Sequence, residues 1–435
     1  MISLPTPKEA MVIALQHRLK QSECLPNEQR NQLQQHSIEA LLKHALNTVP
    51  YYQNHPAIKA MNGNIQWENF PILTRAELQK NEKELISSEP PAEHGQHFDF
   101  RSSGSTGRPI HTQSTEHAQV YWQALTLRDH LWAGRNMNGA LAAIKFLPNN
   151  KARYPGEKNN QWGTQSAALG FRAPASLLNS SESVDVQYRW LCEQQPAYLV
   201  TYPSVLQELA RIQLREKKLN SIHNVACIGE NLPPSLRDLV NQAFGCRVHD
   251  IYSSQEVGYM ALQCPHHDHY HVQLENCLLE ILDDNNQPCP PGQIGRVIVT
   301  TLHNYLMPLI RYEIGDYAIP GAHCDCGITL PVLQRIIGRT RNLVTYPNGK
   351  KSWPAYNPMA LMELFPMARF QLEQLSTSEL QLNIQTPTIP SEDNCEKARQ
   401  IICDAIGHDF HIRICQVEQL TRSPGGKFEE FISRI

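Results

Sequence analysis

Ser102-Ser103-Gly104-Ser105-Thr106-Gly107-Arg108-Pro109 carries four hydroxyls and two glycines in eight residues. Glycine lets successive backbone N–H groups turn toward one anion, the hydroxyls add short donors, and Arg108 adds charge. The stretch suits a phosphate, although its spacing is not that of a Walker loop and its composition alone also fits a plain surface loop. Some 200 residues later, Arg311-Tyr312-Glu313-Ile314-Gly315-Asp316 sets an acid directly after a glycine, behind the apolar, strand-like run Met307–Ile310. The Asp316 carboxylate can accept both hydroxyls of a ribose; in isolation it also reads as a turn acid paired with an arginine. Near the end, Ser423-Pro424-Gly425-Gly426-Lys427 presents an ammonium on an exposed turn. There it can stabilise an α-phosphate as a pentacoordinate centre forms, the alternative being a solvated lysine near a chain end. Together the three segments supply what is needed to activate a carboxylic acid with ATP.

A second constellation has metal-ligand chemistry. Cys324-Asp325-Cys326-Gly327 puts two thiols on one tight turn, and Cys264-Pro265-His266-His267-Asp268-His269-Tyr270-His271 offers a third thiol and several imidazoles. Three sulfurs and one nitrogen would enclose a tetrahedral, structural Zn²⁺. His271, heading the next strand, is the favoured nitrogen ligand, with His267 and His269 behind it. The rival is a His-rich surface loop beside unrelated buried cysteines. Cysteines 24, 192, 227, 246, 277, 289, 395, 403 and 415 show no metal-type pairing and read as core or surface thiols.

These groups need a large scaffold. At 435 residues the chain exceeds what one core usually supports, so two or more domains are expected. Hydrophobic content of 41% and charged content of 19% describe a soluble globular protein. A net charge of −3 without a basic stripe argues against nucleic acid as a partner. Met1–Lys8 lacks a secretory signal pattern and no apolar run is long enough to cross a bilayer, so a cytoplasmic location and no membrane association are expected. Twelve cysteines then read as thiols or metal ligands rather than disulfides.

Apolar spacing predicts helix across 8–48, and Thr74 with Glu77 stands in capping-box register. Short apolar runs at Leu141–Phe146, Tyr198–Tyr202 and Val225–Ile228 alternate with helical stretches at 204–218 and 233–243, the rhythm of βα units. Tyr202-Pro203-Ser204 opens the first of these helices with Ser204 as N-cap, and reads equally as a border of an acyl pocket or as a purely structural cap. Val272–Leu282 and Ile294–Thr301 read as neighbouring antiparallel strands across the turn-rich Asp283–Gly292. Beyond residue 339 the pattern becomes α+β: helices at Met359–Phe365 and Glu396–Ile406, strands at Phe370–Leu375, Leu380–Ile384 and Phe410–Val417. The expected fold is α/β, with a large N-terminal domain (1–338) of mixed βα sheets with an antiparallel β part, and a small α+β C-terminal domain (339–435).

From about residue 95 onward the chain resembles the adenylate-forming enzymes, in particular the phenylacetate–CoA ligase-like branch. Ser102–Pro109 resembles that family's phosphate loop, so the resemblance gives Ser102, Ser103, Gly104, Ser105, Thr106 and Gly107 the ATP phosphates. Gly229-Glu230-Asn231-Leu232 resembles the segment against the adenine. Ile251-Tyr252-Ser253-Ser254-Gln255-Glu256 resembles the aromatic-plus-acid motif, which implies Tyr252 and Ser253 beside the nucleotide and Glu256 on Mg²⁺. Arg311-Tyr312 with Asp316 resembles the ribose motif, Ile337-Gly338-Arg339 the start of a hinge whose Arg339 takes a catalytic part, and Lys427 the adenylation lysine. Some members of the branch also carry a zinc site of the kind read above. The chain departs from the pattern at Ile110, where many relatives have lysine, and at Arg341, where a hinge acid is common. The loop Tyr346–Pro354, with one glycine and a tryptophan, departs in the region that lines the pantetheine path of relatives.

The resemblance implies a ligase that forms acyl-AMP and pyrophosphate, then transfers the acyl group to a thiol, most readily CoA, about a mobile C-terminal domain. The acid is expected to be a small aryl or arylacetic acid. A carrier-protein thiol or an amine is the alternative acceptor, and a catalytically silent nucleotide- or zinc-binding protein is the alternative of another class.

Overall fold

The computed structural model describes residues 4–101, 110–339, 342–352, 354, 358–366, 368–423 and 427–435. These form two compact units, Met1–Ile337 and Gly338–Ile435. No helix among them is long and apolar enough to cross a membrane.

The helical pattern over 8–48 resolves into two helices, Pro7–Ser22 and Asn27–Thr48. Pro26 interrupts them: its ψ of 145° is extended, and a proline disfavours helix in the residue before it. Thr6 and Glu9 close a capping box on the first helix. Thr74 and Glu77 close another on Arg75–Lys80.

Strands of the large unit run in the order β1 (His97–Arg101), β2 (His111–Thr115), β3 (Leu141–Lys145), β4 (Glu157–Asn159), β5 (Ala175–Asn179), β6 (Tyr198–Thr201) and β7 (Asn224–Ile228). Then come β8 (Arg247–Ser254), β9 (Gly258–Gln263), β10 (Tyr270–Val272), β11 (Cys277–Leu282), β12 (Gly295–Thr301), β13 (Tyr312–Pro320) and β14 (Val332–Arg339). Twelve of them make one sheet, ordered β11-β12-β13-β14-β10-β9-β8-β7-β6-β3-β5-β4. From β5 to β8 neighbouring strands are parallel. The pairs β8–β9, β9–β10 and β10–β14 are antiparallel, as are β11–β12 and β12–β13. Helices Val184–Gln194, Pro203–Glu216 and Pro234–Phe244 bury Trp190, Leu206 and Val240 on one face of the parallel part. Helix Glu116–Trp132 covers the other face through Val120 and Ala124. Such a sheet, covered on both sides, explains the continuous apolar runs of its strands.

Three local readings change. Val272–Leu282 is two strands, because the chain turns at Gln273–Asn276, where Asn276 N donates to Gln273 O and the Asn276 amide caps Val257 O and Tyr259 O. The apolar run Met307–Ile310 is not a strand. Pro308 has no N–H to give a ladder, and the next amides go to hydroxyls instead: Leu309 to Thr301, Ile310 to Tyr52, Arg311 to Thr300. Ser204 is not an N-cap: the helix starts at Pro203, after Tyr202.

The small unit pairs β15 (Val344–Thr345) with β16 (Lys351–Ser352) and adds a four-stranded sheet. Its strands are β17 (Arg369–Gln374), β18 (Glu379–Gln385), β19 (His411–Gln416) and β20 (Phe431–Ser433), ordered β19-β18-β17-β20. Helix Glu392–Ile406, capped by Ser391, starts four residues before the sequence pattern and ends at Gly407, whose φ of 73° needs a glycine. Its Ala398 and Ile402 pack with Leu372, Leu382 and Phe370 in a core of the unit's own.

Candidate active site

The parallel register aligns three strand ends. Thr201 of β6 pairs with Cys227 of β7, and Ile228 of β7 pairs with Ile251 of β8. Tyr202, Gly229 and Tyr252, each one residue beyond its pair or close to it, therefore lie in a row along the carboxyl edge of the sheet. In open α/β sheets that edge is where ligands bind.

Each position has a local reason for its geometry. Gly229 has φ of 74°, which lets the chain leave β7 sharply. Glu230 then folds its carboxylate onto the first turn of helix Pro203–Glu216, accepting from Ser204 N at 2.9 Å and Ser204 Oγ at 3.1 Å. An anion at a helix N-terminus is stabilised by the helix dipole, so Glu230 does what Ser204 was expected to do and pins the segment after β7 to a rigid element. The Tyr202 hydroxyl accepts from Phe146 N at 3.0 Å, tying the end of β6 to the end of β3.

Tyr252 stands at a β-bulge, since β8–β9 pairing steps from Tyr252–Ala261 to Ser253–Tyr259. Its ring is buried, and its hydroxyl donates to Asp316 Oδ2 at 2.8 Å. Asp316 is itself on a bulge. Arg296 pairs with Tyr317 and Ile298 with Glu313, so a step of two on β12 meets a step of four on β13. Gly315, with φ of 85°, supports that irregularity. Bulges of this kind re-aim a side chain, and here the re-aimed group is Asp316. The acid lies within strand β13, not in a turn behind a strand. Its neighbour Arg311 does not pair with it. The Arg311 guanidinium is buried, donates to the carbonyls of Trp67, Glu68 and Phe70, and pairs with Glu280 at 3.3 Å. It therefore fastens the N-terminal segment to the start of β13.

Glu256 is half-buried in the turn Gln255–Val257 that joins β8 to β9, beside Ser253 and Ser254. The loop Ser102–Gly107 with Arg108 and Pro109 lies outside the described residues; the strands flanking it pair antiparallel, with Arg101 opposite His111. In the small unit, Arg339 N donates to Asn342 Oδ1 at 3.0 Å, while Arg341 and Trp353 lie outside the described residues. Lys427 follows Pro424–Gly426, also outside them, and its backbone closes back on Ser423: Ser423 N donates to Lys427 O at 2.9 Å and Lys427 N to Ser423 Oγ at 3.1 Å.

The cysteine–histidine constellation is brought together in the large unit. The ligand atoms of Cys264, His271, Cys324 and Cys326 all lie within 4.8 Å of one another. Cys264 Sγ is 3.9 Å from Cys324 Sγ, and Cys326 Sγ is 3.3 Å from His271 Nε2. Zn–S bonds of about 2.3 Å and Zn–N bonds of about 2.0 Å in a tetrahedron imply ligand separations of roughly 3.5–3.8 Å, so the donor set fits that ion. His271 Nδ1 lies 3.2 Å from Leu330 O, which orients the ring and leaves Nε2 toward the thiols. His267 instead pairs with Asp325 at 2.8 Å, and His269 stacks on His267 with ring centroids 5.1 Å apart.

Sequence reading passed over the buried pair behind the row. Asp250, two residues before Tyr252, accepts from Tyr270 Oη at 2.6 Å, and burial raises its carboxyl to about 6. The visible signal was an acid two residues before Tyr252, between Val248 and Ile251.

Residues 161–307 match the family model of the AMP-binding enzymes. The phenylacetate-coenzyme A ligase of Thermus thermophilus is 22% identical over 94% of this chain and 98% of its own length. That of Escherichia coli is 22% identical over 90% and 92%. Among solved structures, 2-hydroxyisobutyryl-CoA ligase in the postadenylation state with 2-HIB-AMP shares the fold, at a TM-score of 0.71 and 20% identity, over 95% of this chain and 91% of that one. Residues 161–307 thus form an AMP-binding-enzyme domain, and along nearly its whole length the chain is a homologue of the phenylacetate–coenzyme A ligases.

Proposed function

We propose that the protein is an AMP-forming acid–CoA ligase. The observation that carries this reading is the row of strand ends at Tyr202, Gly229 and Tyr252, with Asp316 held to Tyr252 at 2.8 Å. A carboxylate oxygen of the acid attacks the α-phosphorus of ATP, the bond to the β-phosphate breaks, and pyrophosphate leaves. The thiol sulfur of CoA then attacks the acyl carbonyl and AMP leaves. Asp316 accepts the ribose hydroxyls, Gly229 and Glu230 border the adenine, and Tyr252 and Ser253 frame the nucleotide. Lys427 and the loop Ser102–Gly107 neutralise charge that develops at phosphorus, each such donor contributing on the order of 10²–10³ in rate. Mg²⁺, bound through Glu256, would supply charge neutralisation at the leaving phosphates. Arg339 heads a hinge about which the small unit exchanges its lysine face for a thiol-binding face. A small aryl or arylacetic acid is the substrate class suggested by the relatives' names.

Cys264, His271, Cys324 and Cys326 would hold a structural Zn²⁺, which would cross-link the loop after β9, strand β10 and the turn before β14. All four positions are then occupied by protein, as suits a structural rather than a catalytic ion.

ATP–pyrophosphate exchange across a panel of acids, followed by assay of CoA consumption with the acids that respond, tests the reading. Exchange with a subset of acids and stoichiometric loss of free CoA thiol is expected. Exchange without CoA consumption would move the acceptor to a carrier protein or an amine. No exchange with any acid would overturn the ligase assignment.

A further inference from the structure

Strand β3 ends in a lysine whose position the reaction above does not use. Ala142 and Ile144 of this strand pack with Trp190 and Leu206 on one face of the sheet. Leu141 packs with Val120, Trp162 and Tyr198 on the other. Alternation puts Lys145 on the face of Leu141, at the carboxyl end of the strand. Lys145 pairs with Asn179 of β5, and the next amide, Phe146 N, donates to Tyr202 Oη at 3.0 Å. The lysine therefore stands level with the row Tyr202–Gly229–Tyr252, one strand further along the sheet edge.

Its environment is costly for an ammonium. Lys145 is half-buried, and burial pushes its ammonium below the ordinary lysine value. Among the described residues no carboxylate pairs with it, and its side chain has no hydrogen-bond partner. A cation partly withdrawn from water without a counter-ion is destabilising unless a ligand supplies the anion. Leu141, two turns of the pleat earlier on the same face, packs against an apolar cluster that includes Val120, Trp162 and Tyr198, so Lys145 sets a cation at the edge of apolar surface, as binding sites with few placed polar groups do.

We propose that Lys145 is a specificity determinant that receives a second anionic group on the acid, so that the preferred substrate is a dianion with one carboxylate at the α-phosphate and its other charge at Lys145. This rests on the acid-activating reading above. The reacting carboxylate is consumed in the adenylate, so the charge met by Lys145 belongs to the far end of the acid. A simple snorkelling lysine, with a buried stem and a wet head, predicts no such preference.

The test is ATP–pyrophosphate exchange with matched acids: butanoate against succinate and glutarate, phenylacetate against 4-carboxyphenylacetate. Wild-type protein is expected to favour the diacid of at least one pair in kcat/KM. In Lys145→Met the diacid-to-monoacid ratio is expected to fall about 10–100-fold, the worth of a charge-assisted hydrogen bond in a site shielded from water. Lys145→Arg should restore part of it. A wild-type preference for every monoacid, or a ratio that Lys145→Met leaves unchanged, overturns the proposal while exchange itself keeps the ligase reading intact. Absence of exchange with all acids sinks that reading first, and the proposal with it.

Discussion

The Tyr252 phenol donates to Asp316 Oδ2 at 2.8 Å, joining two bulges of the large sheet that are 64 residues apart in the chain. A carboxylate proposed to accept ribose hydroxyls must be held in one orientation, and a buried phenol on one oxygen helps to do that. Tyr252→Phe keeps the ring in the core and removes the hydroxyl that donates to Asp316. Its expected effect is a rise in KM for ATP of about tenfold, with kcat changed less, since a hydrogen bond to a charged group contributes roughly 1.5–3 kcal/mol. Steady-state exchange kinetics at saturating acid decide it. An unchanged KM would remove Tyr252 from the nucleotide site.

The bond also shows where sequence reading stops. The βα rhythm, the capping box of Thr74 and Glu77, and the antiparallel pair β11–β12 are encoded by residues close in sequence, through periodicity and turn chemistry. The seats of Tyr252 and Asp316 depend on register between strands, which no local pattern records. Arg311 illustrates the same limit: beside Asp316 in sequence, it serves the carbonyls of residues some 240 positions earlier. Glu230 looked like a nucleotide contact alone, because its helix partner Ser204 is 26 residues away.

Substitution of Lys427 tests whether the two half-reactions are separable. Its charge is proposed to act at the α-phosphate during adenylation and not during thioester formation. Lys427→Ala is expected to slow ATP–pyrophosphate exchange by about 10²–10³, a loss typical of removing one transition-state charge stabiliser. Thioester formation from supplied acyl-AMP and CoA should stay within severalfold of wild type. Equal loss of both half-reactions would exclude exchange of faces by the small unit.

Burial raises the Cys326 thiol to about 12, so as an empty site the cluster would hold protonated sulfur. A bound Zn²⁺ reverses that by taking thiolate, and metal binding releases protons. Purified protein is expected to contain about one zinc per chain by elemental mass spectrometry. Cys324→Ser should lower both zinc content and melting temperature, with a smaller effect on KM for ATP than Tyr252→Phe. Metal-free protein of unchanged melting temperature would return the cluster to a set of buried thiols.

His249 gives a pH signature with a definite sign. It is buried on β8, and burial, followed by the fields of Arg135, Arg247 and Arg237, lowers its imidazole to about 3. The unfolded chain, with an imidazole near 6.5, takes up the proton first as pH falls. Stability from His249 is therefore complete above about 6.5 and is lost as pH falls toward 3. Between pH 7.5 and 5.5 the loss is about 1.4 kcal/mol. His249→Gln should flatten the denaturation midpoint over that interval by a corresponding amount, whatever its effect at pH 7.5. Parallel pH profiles for variant and wild type would show that His249 is not the titrating group.

Gly315 tests whether the bulge itself, rather than the acid alone, builds the proposed ribose seat. Its φ of 85° lies where side chains are rarely found, yet among the described residues a Cβ there would meet nothing within 4 Å. Gly315→Ala therefore introduces backbone strain without a clash, costing about 1–2 kcal/mol if the bulge is kept. Strain of that size is relieved by flattening the bulge, which turns Asp316 away from Tyr252. The expected outcome is a lower melting temperature together with a KM for ATP raised at least as far as in Tyr252→Phe. Gly315→Asn, which tolerates positive φ, should recover much of both. If Gly315→Ala loses stability but keeps the wild-type KM, the bulge is a feature of sheet closure only, and Asp316 holds its aim through Tyr252 alone.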